Sequence, residues 1–154
     1  MTESATSTVL EHENITLSEA KACESNILHK MTLIDKKEKF FAHLRKHHAV
    51  LREIAAHHLC VPDTHCHVAA TEEWLHGSFN VCIPVTIDRR LARTNKILIR
   101  LPLPYRVGDE SRPGNADEKL RCEAGAYAWL MEHCPAVPIP HFYGFGLSTG
   151  QAVC

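Results

Sequence analysis

A glutamate and an arginine interrupt two otherwise apolar patterns in the second half of the chain. Glu123 lies three residues after Leu120 and four residues before Tyr127, which places its carboxylate on the apolar face of a helix. Arg100 lies in the alternating run "KILIRLPL", where it shares one strand face with Lys96. An ionised carboxylate that is buried without a partner is strongly destabilising, so we expect a cation opposite Glu123.

Arg100 is the better candidate for that partner. Apolar residues flank it, and a guanidinium group can bind a carboxylate through two hydrogen bonds. A strand cation that is held by a helix carboxylate can contact phosphate groups. The alternative is a purely structural ion pair, or a glutamate at the rim of the apolar face.

The segment "HHLCVPDTHCHV" concentrates possible metal ligands within eleven residues, and they are His57, His58, Cys60, His65, Cys66 and His67. Imidazole and thiolate are the usual zinc ligands, so a zinc-binding module is a second hypothesis. Its tetrahedral ligands would be His58, Cys60, His65 and Cys66. Adjacent ligands diverge on an extended segment, however, and no Cys-x-x-Cys pair is present. In the alternative, His57 and His58 end a helix and Cys66 is a buried strand residue, so we assign no metal ligand.

Composition restricts the class of protein to which the chain can belong. Of 154 residues, 45% are apolar and 23% are charged, which is typical of a soluble globular protein. The formal net charge of −1 predicts no nucleic-acid or membrane partner, and no apolar run is long enough to span a bilayer. Seven cysteines at irregular spacing and a polar amino terminus predict reduced thiols and an intracellular, cytoplasmic location.

The elements that precede the two charged residues divide into a tail and an arm. Residues 1–18 are polar and aperiodic, which predicts a disordered tail. Residues 19–62 are predicted to form a helical arm with one amphipathic helix over about 35–59, and Pro62 ends it. The helical repeat is carried by Phe40, Leu44, Leu51, Ile54 and His58.

Residues 63–154 are predicted to form an α+β domain that positions Arg100 and Glu123. The runs "CHVAATEEWL", "FNVCIPVTI" and "KILIRLPL" predict three strands of an antiparallel meander, and "HFYGFG" predicts a fourth strand before a fifth begins. The result is a sheet of about five strands with one large helix. Asn115 and Glu118 have the spacing of a capping box at the start of that helix. Its apolar stripe consists of Leu120, Ala124, Tyr127 and Met131.

Three stretches carry a family resemblance, namely "WLHGSFNVCIPV", "ILIRLPLPYRVGDESRPGNADEKLRCEAGAYAWL" and "CPAVPIPHFYGFGLSTGQ". They resemble the amino-terminal lobe of the fungal aminoglycoside-phosphotransferase-like family, relatives of the protein kinases, over about residues 65–154. The resemblance implies a lobe that holds ATP with Mg²⁺ against a larger carboxy-terminal lobe. It also implies that Arg100 is the strand cation, that Glu123 is its helix partner and that residues 76–80 form the phosphate loop. The nucleotide-binding residues implied are Gly77, Ser78, Phe79, Asn80, Arg100 and Glu123.

The sequence contains no His-x-Asp followed at the right spacing by Asn, and no aspartate after Asp117. We therefore assign no catalytic residue and expect weak or absent ATP binding and no phosphoryl transfer by this chain alone. The favoured interpretation is a truncated phosphotransferase lobe whose cleft face would meet the missing lobe or a protein partner. A stand-alone regulatory module of the pseudokinase type, or a functionless remnant, remain the alternatives.

Overall fold

The structure is a computed structural model. It describes residues 8–10, 13–16, 18, 21, 27–88 and 95–153. The chain divides into two compact units, Met1–Leu44 and Arg45–Cys154. Within the described ranges, no helix combines the length and the apolar character that a membrane span requires.

The first unit contains two short strands and most of one long helix. Strands β1 (Thr8–Leu10) and β2 (Glu13–Ile15) pair antiparallel. Both fall in the predicted tail 1–18, where β-branched residues such as Val9 favour extended structure. The other residues of that tail, apart from residues 16 and 18, lie outside the described residues. Helix α1 follows at Ile27–Lys46.

The prediction of one helix over 35–59 is wrong, because two helices occupy that range. Helix α1 ends at Lys46, and α2 runs from His48 to Leu59. His47 separates them with φ −103° and ψ 24°, outside the helical region. The apolar repeat continues across this break without a proline or glycine, so the local sequence carries no signal for it.

The main sheet has four antiparallel strands, which are β3 (Cys66–Val68), β4 (Leu75–His76), β5 (Asn80–Ile87) and β6 (Lys96–Pro102). β5 is central, with β6 on one side and both β3 and β4 on the other. A 3₁₀ turn at Thr71–Glu73 interrupts the run that the sequence predicts as one strand. At the interruption, Ala69 N donates to the carbonyl of Pro84 in β5 at 2.9 Å.

The core lies on one face of this sheet, where alternate residues of β5 are almost fully buried. They are Val81, Ile83, Val85 and Ile87. Ala55 and Ala56 of α2 pack against Val85 and Ile87, whereas Ile54 is exposed, contrary to the predicted stripe. Small side chains let the helix approach the sheet closely, and each large aliphatic residue buried there stabilises the fold by roughly 1.5–3 kcal/mol. Since α2 belongs to this core, the packed unit begins before residue 63, the sequence-based boundary.

Helices α3 (Pro104–Val107) and α4 (Asn115–His133) follow β6. The predicted N-cap, Asn115, is wrong because the cap is Gly114, at φ 98°. The Asp109 carboxylate replaces a side-chain cap by accepting from Gly114 N at 3.1 Å and Ala116 N at 3.0 Å. An acceptor supplied from the preceding loop satisfies the free amides of the first helical turn just as an N-cap side chain would.

The apolar face of α4 agrees only in part with the predicted stripe. Ala124 is buried and Tyr127 is half-buried, with its ring stacked on Phe142 at 5.1 Å between centroids. Met131 is 51% exposed, so its assignment to the stripe is wrong.

The last two strands, β7 (Phe145–Gly146) and β8 (Ala152–Val153), pair with each other and form a sheet of their own. The α+β class is confirmed, but the predicted single sheet of about five strands is replaced, among the described residues, by the four-stranded sheet and separate two-stranded pairs. Gly144 lies just before β7 at φ +148°, and a Cβ there would approach within 2.6 Å of His58 Nδ1. The His58 side chain at the end of α2 therefore lies close to the backbone of the segment that leads into β7.

Candidate functional site

Arg100 and Glu123 meet on the face of the sheet opposite the core. Arg100 lies in β6, directly across from Cys82 of β5, and Glu123 lies in α4. Arg100 Nη2 donates to Glu123 Oε1 at 3.2 Å. The structure therefore brings together the strand cation and the helix carboxylate that the apolar patterns single out.

A second cation shares the same carboxylate. Lys119, one turn before Glu123 on α4, forms an ion pair with Glu123 Oε1. Its Nζ also donates to the side-chain oxygen of Asn80 at 3.0 Å. We call Asn80, Arg100, Lys119 and Glu123 the anion cluster, because two positive charges against one negative charge leave it one net positive charge.

The anion cluster is accessible to a ligand. The exposed fractions of the side chains are 45% for Arg100, 30% for Glu123 and 23% for Lys119. Water therefore screens the ion pairs, and their direct contribution to stability is about 1 kcal/mol or less each. A guanidinium group has five N–H donors, so Arg100 can bind Glu123 and an anion together.

The turn 77–80 lies at the same end of the sheet, since Asn80 belongs both to it and to the anion cluster. Gly77 N donates to the carbonyl of Asn80 at 3.0 Å, which closes the turn between β4 and β5. A Cβ on Gly77 would meet nothing within 4 Å. Packing alone therefore does not require glycine at this position, and Gly77, Ser78 and Phe79 are all exposed.

An apolar patch continues from Arg100 across the same face of the sheet. Paired residues of antiparallel strands share a face, which places Leu75 beside Cys82 and Leu98 beside Pro84. Leu98 is 58% exposed, and Leu75 is more exposed still. We call Leu75, Cys82, Pro84 and Leu98 the sheet patch.

The histidines and cysteines of residues 57–67 are arranged differently from the ligands that the zinc hypothesis predicts. Cys66 is 1% exposed in the core, and burial, with a smaller effect from Asp63, raises the pKa of its thiol. His65 Nδ1 and His67 Nε2 lie 2.7 Å and 3.2 Å from the two oxygens of Asp88. These contacts are the largest cause of a lowered Asp88 pKa. Within the described part of the chain, no group of three or more His, Cys, Asp or Glu side chains is arranged to hold a metal ion.

Lys119 is the site residue that sequence reasoning missed. The signal for it was available, since a lysine four residues before a glutamate faces it on a helix. Its bond to Asn80 was not predictable, because that bond depends on how α4 crosses the start of β5.

Comparison with protein-family models, with curated proteins and with solved structures gives no match to this chain. The family resemblance thus remains a hypothesis based on the motifs themselves.

Proposed function

We propose that the second unit binds ATP through its phosphates, as the nucleotide-binding lobe of a phosphotransferase related to the protein kinases. The observation that carries the proposal is that Glu123 accepts from both Arg100 and Lys119, which positions two cations beside the turn 77–80. A fixed pair of cations suits an oligophosphate better than two mobile side chains would, because less conformational freedom is lost on binding.

The turn 77–80 supports contact with phosphate. Backbone amides bind phosphate oxygens, and a glycine lets the ligand approach them closely. A Cβ at Gly77 would meet nothing within 4 Å, so the space over this part of the backbone is open to a ligand. Asn80 extends the same surface toward Lys119.

The sheet patch favours a nucleotide over a bare phosphate. Leu98 lies two residues from Arg100 on the same strand face, so an apolar surface borders the cations. A nucleotide has a flat, largely apolar base at one end and charged phosphates at the other. It can therefore place its base on the sheet patch and its phosphates on the anion cluster.

We do not assign the groups needed for phosphoryl transfer to any of these residues. Binding a nucleotide needs only the surface just described, whereas transfer also needs a proton acceptor and magnesium ligands. We propose that these come from a second lobe or a partner that covers the sheet patch. With only one side of the site supplied by this chain, we expect MgATP affinity weaker than micromolar.

Calorimetric titration of the chain with MgATP tests the proposal. Arg100→Met and Lys119→Met should each weaken binding by about tenfold or more, because a charge-assisted hydrogen bond contributes about 1.5–3 kcal/mol. The matched control is Arg121→Met, which removes one positive charge from the same helix at a residue that contacts Gln151 instead. Equal losses in all three variants, or no wild-type binding, would contradict the proposal.

The same titration separates contact with the base from contact with the phosphates. Leu98→Thr should weaken binding of MgATP but leave binding of magnesium tripolyphosphate unchanged. Val137→Thr, at an exposed apolar residue outside the sheet patch, should change neither affinity. Tripolyphosphate binding as tight as ATP binding would show that the sheet patch does not contact the base.

A further inference from the structure

Strand β6 forms one edge of the main sheet. Among the strands that the structure describes, it pairs only with β5. Ile97, Ile99 and Leu101 are partly exposed on the core side, whereas Ile83 of the central strand is fully buried. The outer side of β6 therefore has no described partner along a strand of seven residues. Backbone groups that are unpaired along such a strand are a template for another strand.

The backbone bonds at the two ends of β6 show which of its groups point outward. Ile87 N donates to the Asn95 carbonyl at 2.9 Å, and Leu103 N donates to the Phe79 carbonyl at 2.8 Å. Bonded pairs alternate along an antiparallel ladder, so the odd-numbered residues of β6 bond to β5. The N–H and C=O groups of its even-numbered residues therefore point away from β5.

The proline at the end of this strand fits an outward-facing position. Pro102 is one of the even-numbered residues, so the amide proton that it lacks would point outward and no bond to β5 is lost. Its carbonyl remains an acceptor on that side. Leu98 and Arg100 each offer both a donor and an acceptor there.

Charge restricts how a second copy of β6 can pair antiparallel with this edge. An alignment with Leu98 opposite itself sets Lys96 against Arg100 of the second copy, and one with Arg100 opposite itself brings two guanidinium groups together. Like charges directly opposite each other are destabilising. Placing Ile99 opposite itself avoids both contacts and pairs all seven residues of the strand.

We propose that the protein forms a twofold symmetric dimer through β6, with Ile99 opposite Ile99 of the second copy. Leu98 then lies opposite Arg100 of the second copy, and the two residues exchange both of their backbone hydrogen bonds. Lys96 lies opposite Pro102 of the second copy, so no cation directly faces another.

The same register matches the apolar side of the strand. Ile97 lies opposite Leu101 of the second copy, and the two copies of Ile99 lie side by side. Pairing covers part of the surface that these side chains expose in a single copy. Each copy uses its own β6 edge in the contact, so the dimer is closed and does not propagate.

Sedimentation velocity of the full chain without nucleotide tests the dimer. Each copy contributes seven strand residues, fewer than the roughly 20–30 per side of a standard interface, so we expect a dissociation constant of tens to hundreds of micromolar. The weight-average sedimentation coefficient should rise between about 20 μM and about 1 mM protein. A monomer across this range would overturn the proposal. Because nucleotide is absent, either result is independent of the proposed nucleotide site.

Amide hydrogen exchange, followed by NMR at low and high protein concentration, locates the contact. The amides of Leu98 and Arg100 should exchange about threefold or more slowly at high concentration, because they become bonded in the dimer. The amide of Ile99 bonds to β5 and should be protected at both concentrations. Association that leaves the exchange of Leu98 and Arg100 unchanged would place the contact elsewhere and refute the proposal.

Charge variants of Leu98, which is 58% exposed, test the register. Leu98→Lys sets a cation against Arg100 of the second copy and should weaken association by about two- to thirtyfold, because the dimer contains this pair twice. Leu98→Glu should strengthen association by a similar factor.

The matched controls are Leu75→Lys and Leu75→Glu, which make the same charge changes in β4, on the other side of β5. Both should leave association unchanged. If the two Leu98 variants behave alike, or if the Leu75 variants have equal effects, Leu98 does not face Arg100 of the second copy and the proposed register is wrong.

Discussion

At the scale of single residues, the decisive side chain is Glu123, which accepts from a cation of the sheet and from a cation of its own helix. The carboxylate is partly exposed, so water reduces the strength of each pair. Its main effect is therefore to fix the position of two positive groups, and the energy of the cluster is secondary.

A double-mutant cycle of Arg100→Ala and Glu123→Ala measures whether this pair is coupled. We expect a coupling free energy of about 0.5–1 kcal/mol in urea unfolding, because the pair is close but exposed. Repeating the cycle with Lys119→Met should increase the coupling, since Arg100 then no longer shares the carboxylate.

The control cycle combines Glu123→Ala with Arg121→Ala. These residues are two positions apart on α4 and do not face each other. Their losses should add within about 0.5 kcal/mol. If the losses for Arg100→Ala and Glu123→Ala were additive as well, the two side chains would not be energetically coupled.

The approach of Arg100 and Glu123 could be predicted because each breaks an apolar repeat of known period. The role of Asp109 as the cap of α4 could not be predicted in the same way, since the loop "VGDESRPGN" offers several polar residues to the helix start. Only the folded path of the loop selects one of them.

At the scale of elements, the contact between α2 and the segment before β7 depends on Gly144. Alanine there would combine a backbone conformation that L-residues rarely adopt with close contact to His58 and to the Val153 carbonyl. We predict that Gly144→Ala lowers the free energy of unfolding by at least about 2 kcal/mol, measured by urea denaturation.

The matched control is Gly125→Ala in α4. A Cβ at Gly125 meets nothing within 4 Å, and alanine favours helix over glycine. The free energy of unfolding should rise by about 0.5–1 kcal/mol. A neutral Gly144→Ala variant would show that α2 and this segment separate at little cost.

Strands β5 and β6 were predictable from their alternating apolar residues. One face of β5 is buried in the core, and Ile97 and Ile99 of β6 pack against that core. The split of the first predicted strand into β3 and β4 was not, and neither was the separate pairing of β7 with β8. Both depend on which backbone groups find partners far along the chain, and residue propensity does not encode that.

At the scale of the whole molecule, stability should fall in acid in two steps. Burial lowers the pKa of His58 below 6.5, so the unfolded chain binds this proton more readily than the folded one. The stability from neutral His58 is complete above pH 6.5 and is lost as the pH falls through the folded pKa. Contacts with His65, His67 and Ser148 lower the pKa values of Asp88 and Asp117 below 3.8, so a second loss follows below that pH.

Urea midpoints measured between about pH 7.5 and pH 5.5 test the first step. His58→Gln should flatten the decline over this range, because the substitution removes the ring whose pKa burial lowers. A decline that is identical in wild type and His58→Gln would assign the first step to other histidines.

The interrupted edge of the sheet has a consequence for behaviour at high concentration. In an antiparallel strand the N–H and C=O of one residue point the same way, so the missing amide proton of Pro84 falls where Ala69 reaches its carbonyl. The neighbouring chain leaves the ladder there and turns through Thr71–Glu73. Among the described residues, this edge therefore offers a strand of another molecule only the short strands β3 and β4. A short, interrupted edge is a poor template for fibril growth.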